Sequence, residues 1–194
     1  MRVIAGSLRS RRFEPPRQAE LRPLTDRLRE SLFGLLEHRV PLPDARVLDL
    51  FSGSGSFSYE ALSRGAASSL AIETSPKSLS FIHRTARDFG LTDRLQARRT
   101  SVQGFLCSTP DQPPFDLIML DPPYRLREKT HLIQLASQPQ WLAEHGWLLL
   151  HHPAEERFTT LPGFVEERNY GGAHLSLFRR PQEGATTQAE APLQ

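Results

Sequence analysis

The sequence predicts an α/β domain in which a mostly parallel sheet is covered by helices on both faces. Three observations point there: short apolar runs alternate with amphipathic stretches, a glycine-rich turn follows the first strong run, and the composition is that of a folded chain. Hydrophobic residues make up 38% and charged residues 24% of the 194, enough to close a core without a disulfide or metal staple. Cys107 is the only cysteine, which excludes an intramolecular disulfide and any multi-cysteine metal site and fits a reducing cytoplasm. The N-terminal residues read as no signal peptide, and no run approaches the ~20 apolar residues of a membrane span. The formal net charge is +2, so a global positive field gives no argument for nucleic acid.

The elements follow in order. Val3-Ile4, the polar Gly6–Ser10 and Arg11–Phe13 predict a short hairpin within a basic extension over residues 1–24. Leu28, Leu32, Leu35 and Leu36 recur at i, i+4, i+7 and i+8 and predict a helix over 25–39, with Thr25 as its N-cap. Pro41 and Pro43 end it. Arg46–Phe51 reads as a buried strand, Ser56–Arg64 as a helix stopped by Gly65, and Leu70–Glu73 as a second strand. Pro76–Phe89 predicts a helix with proline in its first turn and Gly90 just past its end. Strands are expected at Arg94–Arg99, Phe115–Leu120, Trp147–Leu150 and His174–Phe178, and a helix at Glu128–Ser137. The main domain spans 25–180, and residues 181–194, with almost no large apolar side chains, read as a disordered tail.

Two motifs carry chemistry. The first is Asp49-Leu50-Phe51-Ser52-Gly53-Ser54-Gly55, between a strand and a helix. Open α/β sheets bind ligands at the carboxyl ends of their strands, and glycine lets a ligand approach the backbone. Glu73 ends the next strand 24 residues after Asp49, near the ~20 expected of a carboxylate that holds ribose hydroxyls. The third glycine of a dinucleotide fingerprint is replaced by Ser58, and an acidic Asp49 suits a cationic group better than a pyrophosphate. Those properties point to the amino group or sulfonium of S-adenosylmethionine. The second motif is Asp121-Pro122-Pro123-Tyr124, at the end of the strongest strand. An exocyclic base amine is a poor nucleophile and must be held in line with the methyl group by acceptors. The Asp121 carboxylate and the Pro122 carbonyl are candidate acceptors, Pro122 and Pro123 stiffen the turn, and Tyr124 offers a ring for a base to stack on.

With both motifs present, the chain resembles class I S-adenosylmethionine-dependent methyltransferases of the amino-methylating kind. More narrowly, it resembles the bacterial 16S rRNA guanine-N2 methyltransferase family, RsmD. The resemblance runs from Arg2 to about Arg180 and rests on Arg2–Gly6 with Arg9–Arg12, on Arg22–Phe33, on Leu48–Ala66 and on Asp121–Tyr124. It implies a Rossmann-like fold and methyl transfer to the N2 amine of a guanine in 16S rRNA or an assembling small subunit. It further implies S-adenosylmethionine held by Thr25, Asp49, Phe51, Gly53, Gly55 and Glu73, and Asp121, Pro122, Pro123 and Tyr124 at the target amine. No metal is implied, the protein is expected to be a cytoplasmic monomer, and the target base must be flipped or single-stranded. Two departures stand out. Ser101 occupies the place where relatives often carry an acid against the adenine, so it is a candidate cofactor residue whose hydroxyl or neighbouring backbone is expected to make the adenine contact, and His151-His152 stand where many have glutamate.

Residues 1–39 hold nine arginines against five acids, and Arg2, Arg9, Arg11 and Arg12 are candidate rRNA phosphate contacts. His151 and His152 point to opposite faces of a strand, so they read as structural and not as a metal pair. Trp141 and Trp147 read as packing residues. Two rivals compete with the rRNA reading: an adenine-N6 methyltransferase acting on DNA or RNA, which the Asp-Pro-Pro-Tyr tetrad alone permits, and an RNA-binding module without catalysis.

Overall fold

Four apolar runs buried on both faces and a less buried edge segment, Leu95–Arg99, pair as parallel strands, because only a sheet sandwiched between helix layers can bury both faces of its inner strands. In the computed structural model, which describes residues 1–15, 26–37, 39–170 and 173–180, these are β1 (Arg46–Leu50), β2 (Ser68–Glu73), β3 (Leu95–Arg99), β4 (Phe115–Leu120) and β5 (Leu142–Pro153). Two further strands, β6 (Phe164–Tyr170) and β7 (Ala173–Arg179), complete a seven-stranded sheet of order β3-β2-β1-β4-β5-β7-β6. β7 pairs antiparallel with both β5 and β6. The helices are α1 (Asp26–Glu37), α2 (Ser56–Ser63), α3 (Pro76–Phe89), α4 (Val102–Leu106) and α5 (Lys129–Ala136).

The chain winds from β1 outward through β2 to β3, then crosses to β4 and winds the other way. The point where the order reverses lies between β1 and β4, and it opens a crevice at their carboxyl ends. Alternation along each strand divides the core in two. Val47, Leu117, Met119, Trp147, Leu149, Leu175 and Leu177 pack with α1, α2, α3 and the N-terminal hairpin. Leu48, Leu50, Ile118, Leu120, Leu148, Leu150 and Phe178 pack with α4 and α5.

The predicted elements are present, with their bounds moved by a few residues. Residues 16–25, Thr25 among them, and residues 181–194 lie outside the described residues. Two elements had no expectation. The five-residue α4 begins after Ser101, whose hydroxyl accepts the Gly104 N–H at 3.0 Å. β6 is an edge strand whose Glu166, Glu167 and Arg168 leave no apolar alternation to read. Trp147–Leu150 proves to be the inner part of a twelve-residue β5. Trp141 and Trp147 are buried packing residues; the indole Nε1 of Trp141 donates to the Leu106 carbonyl at 3.0 Å, and Arg179 lies over the Trp147 ring.

The basic hairpin closes at an antiparallel bridge between Arg2 and Arg12, with Val3 N–H donating to the Arg11 carbonyl at 2.9 Å. It is fastened to α2 by a buried carboxylate. Glu60 accepts the N–H groups of Ile4 (2.7 Å) and Ala5 (3.0 Å) and the Nε–H of Arg64 (2.8 Å). The fully buried Arg29 of α1 stands 3.9 Å away. Gly6 adopts φ +80°, and a Cβ there would lie 1.9 Å from the Ser63 carbonyl oxygen, so only glycine fits the turn. Val3 and Phe13 then enter the same core as Leu32 and Phe33.

Candidate active site

Register decides which polar residues meet in the crevice. Asp49 lies beside Met119 across the β1–β4 pair, and Leu120 lies beside Leu150 across β4–β5. Side chains two apart on a strand share a face. Asp49, Asp121 and His151 therefore fall on the α2-bearing face, at the carboxyl ends of three neighbouring strands. Asp121 closes β4 by donating its N–H to the Leu50 carbonyl at 3.2 Å, which sets the tetrad directly against the glycine turn.

The turn itself is strained where it faces the crevice. Phe51 sits at φ +61°, a conformation that costs a side-chain-bearing residue about 1–3 kcal/mol. Gly55 at φ +75° caps α2, and a Cβ there would press on the Tyr59 hydroxyl at 2.9 Å. Asp49 is 2% exposed and takes two bonds from α2: Ser58 Oγ–H at 2.7 Å and Ser58 N–H at 3.3 Å. Burial pushes its carboxyl up to about 7, the Ser58 bonds oppose the rise, and the charges of Asp121 and Glu73 add to it. Glu73 is fixed by three backbone donors. Gly53 N–H reaches Oε2 at 2.8 Å, and the N–H groups of Thr74 (2.7 Å) and Ser75 (2.9 Å) reach Oε1.

The Asp-Pro-Pro-Tyr turn is locked from below by Lys129. This buried ammonium donates to the carbonyls of Tyr124 (2.7 Å) and Leu126 (2.6 Å) and to Glu156 Oε1 (2.7 Å). All three of its protons are thereby matched, as a buried cation requires. Tyr124 is 38% exposed, one of two large exposed hydrophobics among the described residues. His151, buried on β5, joins the tetrad: its Nδ1 lies 2.7 Å from Asp121 Oδ1 and its Nε2 3.2 Å from the Tyr124 hydroxyl. His151, expected to be structural, thus contacts two members of the tetrad. The expectation that the two histidines diverge is met, because His152 faces the other layer and bonds Ser176 Oγ at 2.9 Å. Burial holds the His152 imidazole below its ordinary value.

Three carboxylates, Asp49, Glu73 and Asp121, are anchored at this edge, and the described residues hold no cluster that would ligate a metal ion. Such an edge suits a ligand that presents a cationic group and hydroxyl donors.

The model of the family described as conserved hypothetical protein 95 matches residues 1–179. The chain belongs to this family, the RsmD family. An RsmD relative from Haemophilus influenzae, named ribosomal RNA small subunit methyltransferase D, is 31% identical over 182 residues, 92% of this chain and 93% of its own. The protein of the same name from Escherichia coli K12 is 29% identical and is covered over 92% of its length by 95% of this chain. A solved Escherichia coli structure, the candidate methyltransferase yhhF, superimposes with a TM-score of 0.82 at 28% identity, over 93% of this chain and 98% of that one. The fold is the Rossmann-like class I methyltransferase fold.

Within this RsmD chain, Asp49, Phe51, Gly53, Gly55, Glu73 and Asp121–Tyr124 lie at or just beyond the carboxyl ends of β1, β2 and β4. Ser101 follows β3 at the same sheet edge, with its hydroxyl used as the α4 cap. The candidate phosphate-contact arginines lie on the hairpin. Arg2 leans toward Asp26, with Nε at 3.6 Å, and Arg11 donates to the Asp88 carbonyl and covers the Phe89 ring. Arg9 and Arg12 are exposed. The hairpin turn packs on Ser63 at the far end of α2, about 10 Å along the helix from the glycine turn. Three contributors escaped the sequence reading. His151 carried one signal, since a polar residue follows an apolar run there as Asp121 does on β4. Lys129 and Glu60 read as ordinary surface charges on helices, and only packing buries them.

Proposed function

We propose that this chain transfers a methyl group from S-adenosylmethionine to the exocyclic N2 amine of a guanine in small-subunit rRNA. The observation that carries the reading is the convergence of Asp49, Glu73 and Asp121 on one crevice at the β1–β4 reversal, joined to relatives named ribosomal RNA small subunit methyltransferase D. The donor set fits the group. A buried carboxylate raised to about 7 by desolvation favours a cationic neighbour. Glu73 is anchored by three N–H donors yet keeps acceptor capacity for hydroxyls. Asp49, Phe51, Gly53 and Gly55 would hold its amino-acid part, Glu73 its ribose, and the Ser101 region and Thr25 its remaining contacts.

When bound, S-adenosylmethionine supplies an electrophilic methyl group. The chain's own residues do the positioning. Asp121 and the Pro122 carbonyl accept from the amine protons and aim the nitrogen lone pair. Tyr124 stacks the base, a contact of ~1–3 kcal/mol. Lys129 and the two prolines keep the turn from relaxing. Near-attack positioning of this kind supplies roughly 7–11 kcal/mol of rate enhancement. The exposed Arg9 and Arg12 are proposed phosphate contacts, with Arg2 and Arg11 supporting the hairpin that carries them.

The test is methyl transfer from labelled S-adenosylmethionine to unmodified 16S rRNA and to small subunits, followed by nucleoside analysis. N2-methylguanosine is the expected product. N6-methyladenosine would move the chain to the adenine-methylating class, and no transfer with no cofactor binding would favour the non-catalytic module.

A further inference from the structure

We infer that His151 is the positioning residue that aims Asp121 and Tyr124 at the target amine. The inference rests on the amine-methylating reading above and assigns a role to a side chain outside the tetrad.

An aspartate at a turn ordinarily steadies its carboxylate on a backbone N–H one or two residues ahead. Asp121 is followed by Pro122 and Pro123, which have none. The other acids of this edge are fixed locally, Asp49 by Ser58 and Glu73 by Gly53, Thr74 and Ser75. For Asp121 the donor comes from the next strand, His151 Nδ1 at 2.7 Å from Oδ1. A carboxylate only accepts, so Nδ1 carries the proton, and Nε2 is left to face the Tyr124 hydroxyl at 3.2 Å. The imidazole cannot swing. It is buried, its backbone is paired with Leu175 of β7, and its ring meets that of Tyr124 edge-on at 5.6 Å. One ring therefore engages Oδ1, leaves Oδ2 as the acceptor for the target amine, and sets the Tyr124 ring relative to it.

The test is a comparison of His151→Leu, His151→Asn and His151→Gln in the full 194-residue chain. Asparagine places an N–H near Nδ1, whereas glutamine reaches only toward Nε2. His151→Leu should lower kcat about 10- to 100-fold, the loss of one hydrogen bond to a charged group. S-adenosylmethionine affinity should stay unchanged. His151→Asn should recover most of kcat and His151→Gln should not, an order that a space-filling role does not produce. Wild-type kcat in His151→Leu, or recovery by glutamine and not asparagine, overturns the inference. If the wild-type chain transfers no methyl group to small-subunit rRNA, the proposed function fails separately. The imidazole 15N spectrum then decides the inference. A slowly exchanging Nδ1–H that is lost in Asp121→Ala supports it, and its absence from the wild-type chain overturns it.

Discussion

The proposed contact of Asp49 with the cofactor makes binding a proton-linked event. In the free protein its carboxyl titrates at about 7, raised chiefly by burial. A cationic group beside it in the complex restores the ionised form, so binding below neutrality must release a proton. Affinity for S-adenosylmethionine should then fall about tenfold per pH unit below 7 and level off above about pH 8. Stability carries the opposite sign. The folded chain keeps the Asp49 proton while the unfolded chain releases it above 3.8, so stability is full below about pH 4 and declines through about pH 7. The span from 3.8 to about 7 corresponds to about 4 kcal/mol at most. Asp49→Asn should flatten the affinity profile and, without the ligand, raise the unfolding midpoint at neutral pH. Calorimetry in two buffers of different ionisation enthalpy counts the protons directly, and close to one should be released at about pH 6. Constant affinity from about pH 5.5 to 8 with no proton release would refute the reasoning.

Other outcomes follow from the same geometry. Asp121→Ala should lower turnover by about 10²–10³-fold while S-adenosylmethionine affinity is kept, because Asp121 is the proposed acceptor for the amine protons; single-turnover kinetics and calorimetry check the two halves. Glu60→Ala leaves two backbone N–H groups and the buried Arg29 without their carboxylate, and should lower the urea-unfolding free energy by about 3–5 kcal/mol. Gly6→Ala should cost about 1–3 kcal/mol in the same assay, since its Cβ would collide with the Ser63 carbonyl. Arg9→Glu with Arg12→Glu should weaken rRNA binding and shallow its salt dependence without changing cofactor affinity, as a filter-binding salt series would read.

Much of this protein is legible in the residues because the signals are local. Apolar periodicity marks β1, α3 and β4, proline and glycine punctuate α3, and the two motifs sit at strand ends, where any open α/β sheet gathers its ligands. Asp49, Glu73 and Asp121 could therefore be chosen before any contact was known. β6 was not legible, because an edge strand with charged neighbours carries no burial pattern.

Tertiary structure alone decided what depends on register and packing across distant segments. His151 meets the tetrad because β5 pairs in step with β4, a relation between residues 30 apart. Lys129 and Glu60, charges that a helix normally leaves in water, are buried because each satisfies backbone groups of another segment. Gly6, Ser63 and Glu60 fasten the basic hairpin to α2, a placement that no local signal in residues 1–15 states. A sequence states which side chains exist and their local conformational preferences; which of them meet is fixed by the long-range free energy of closing the core.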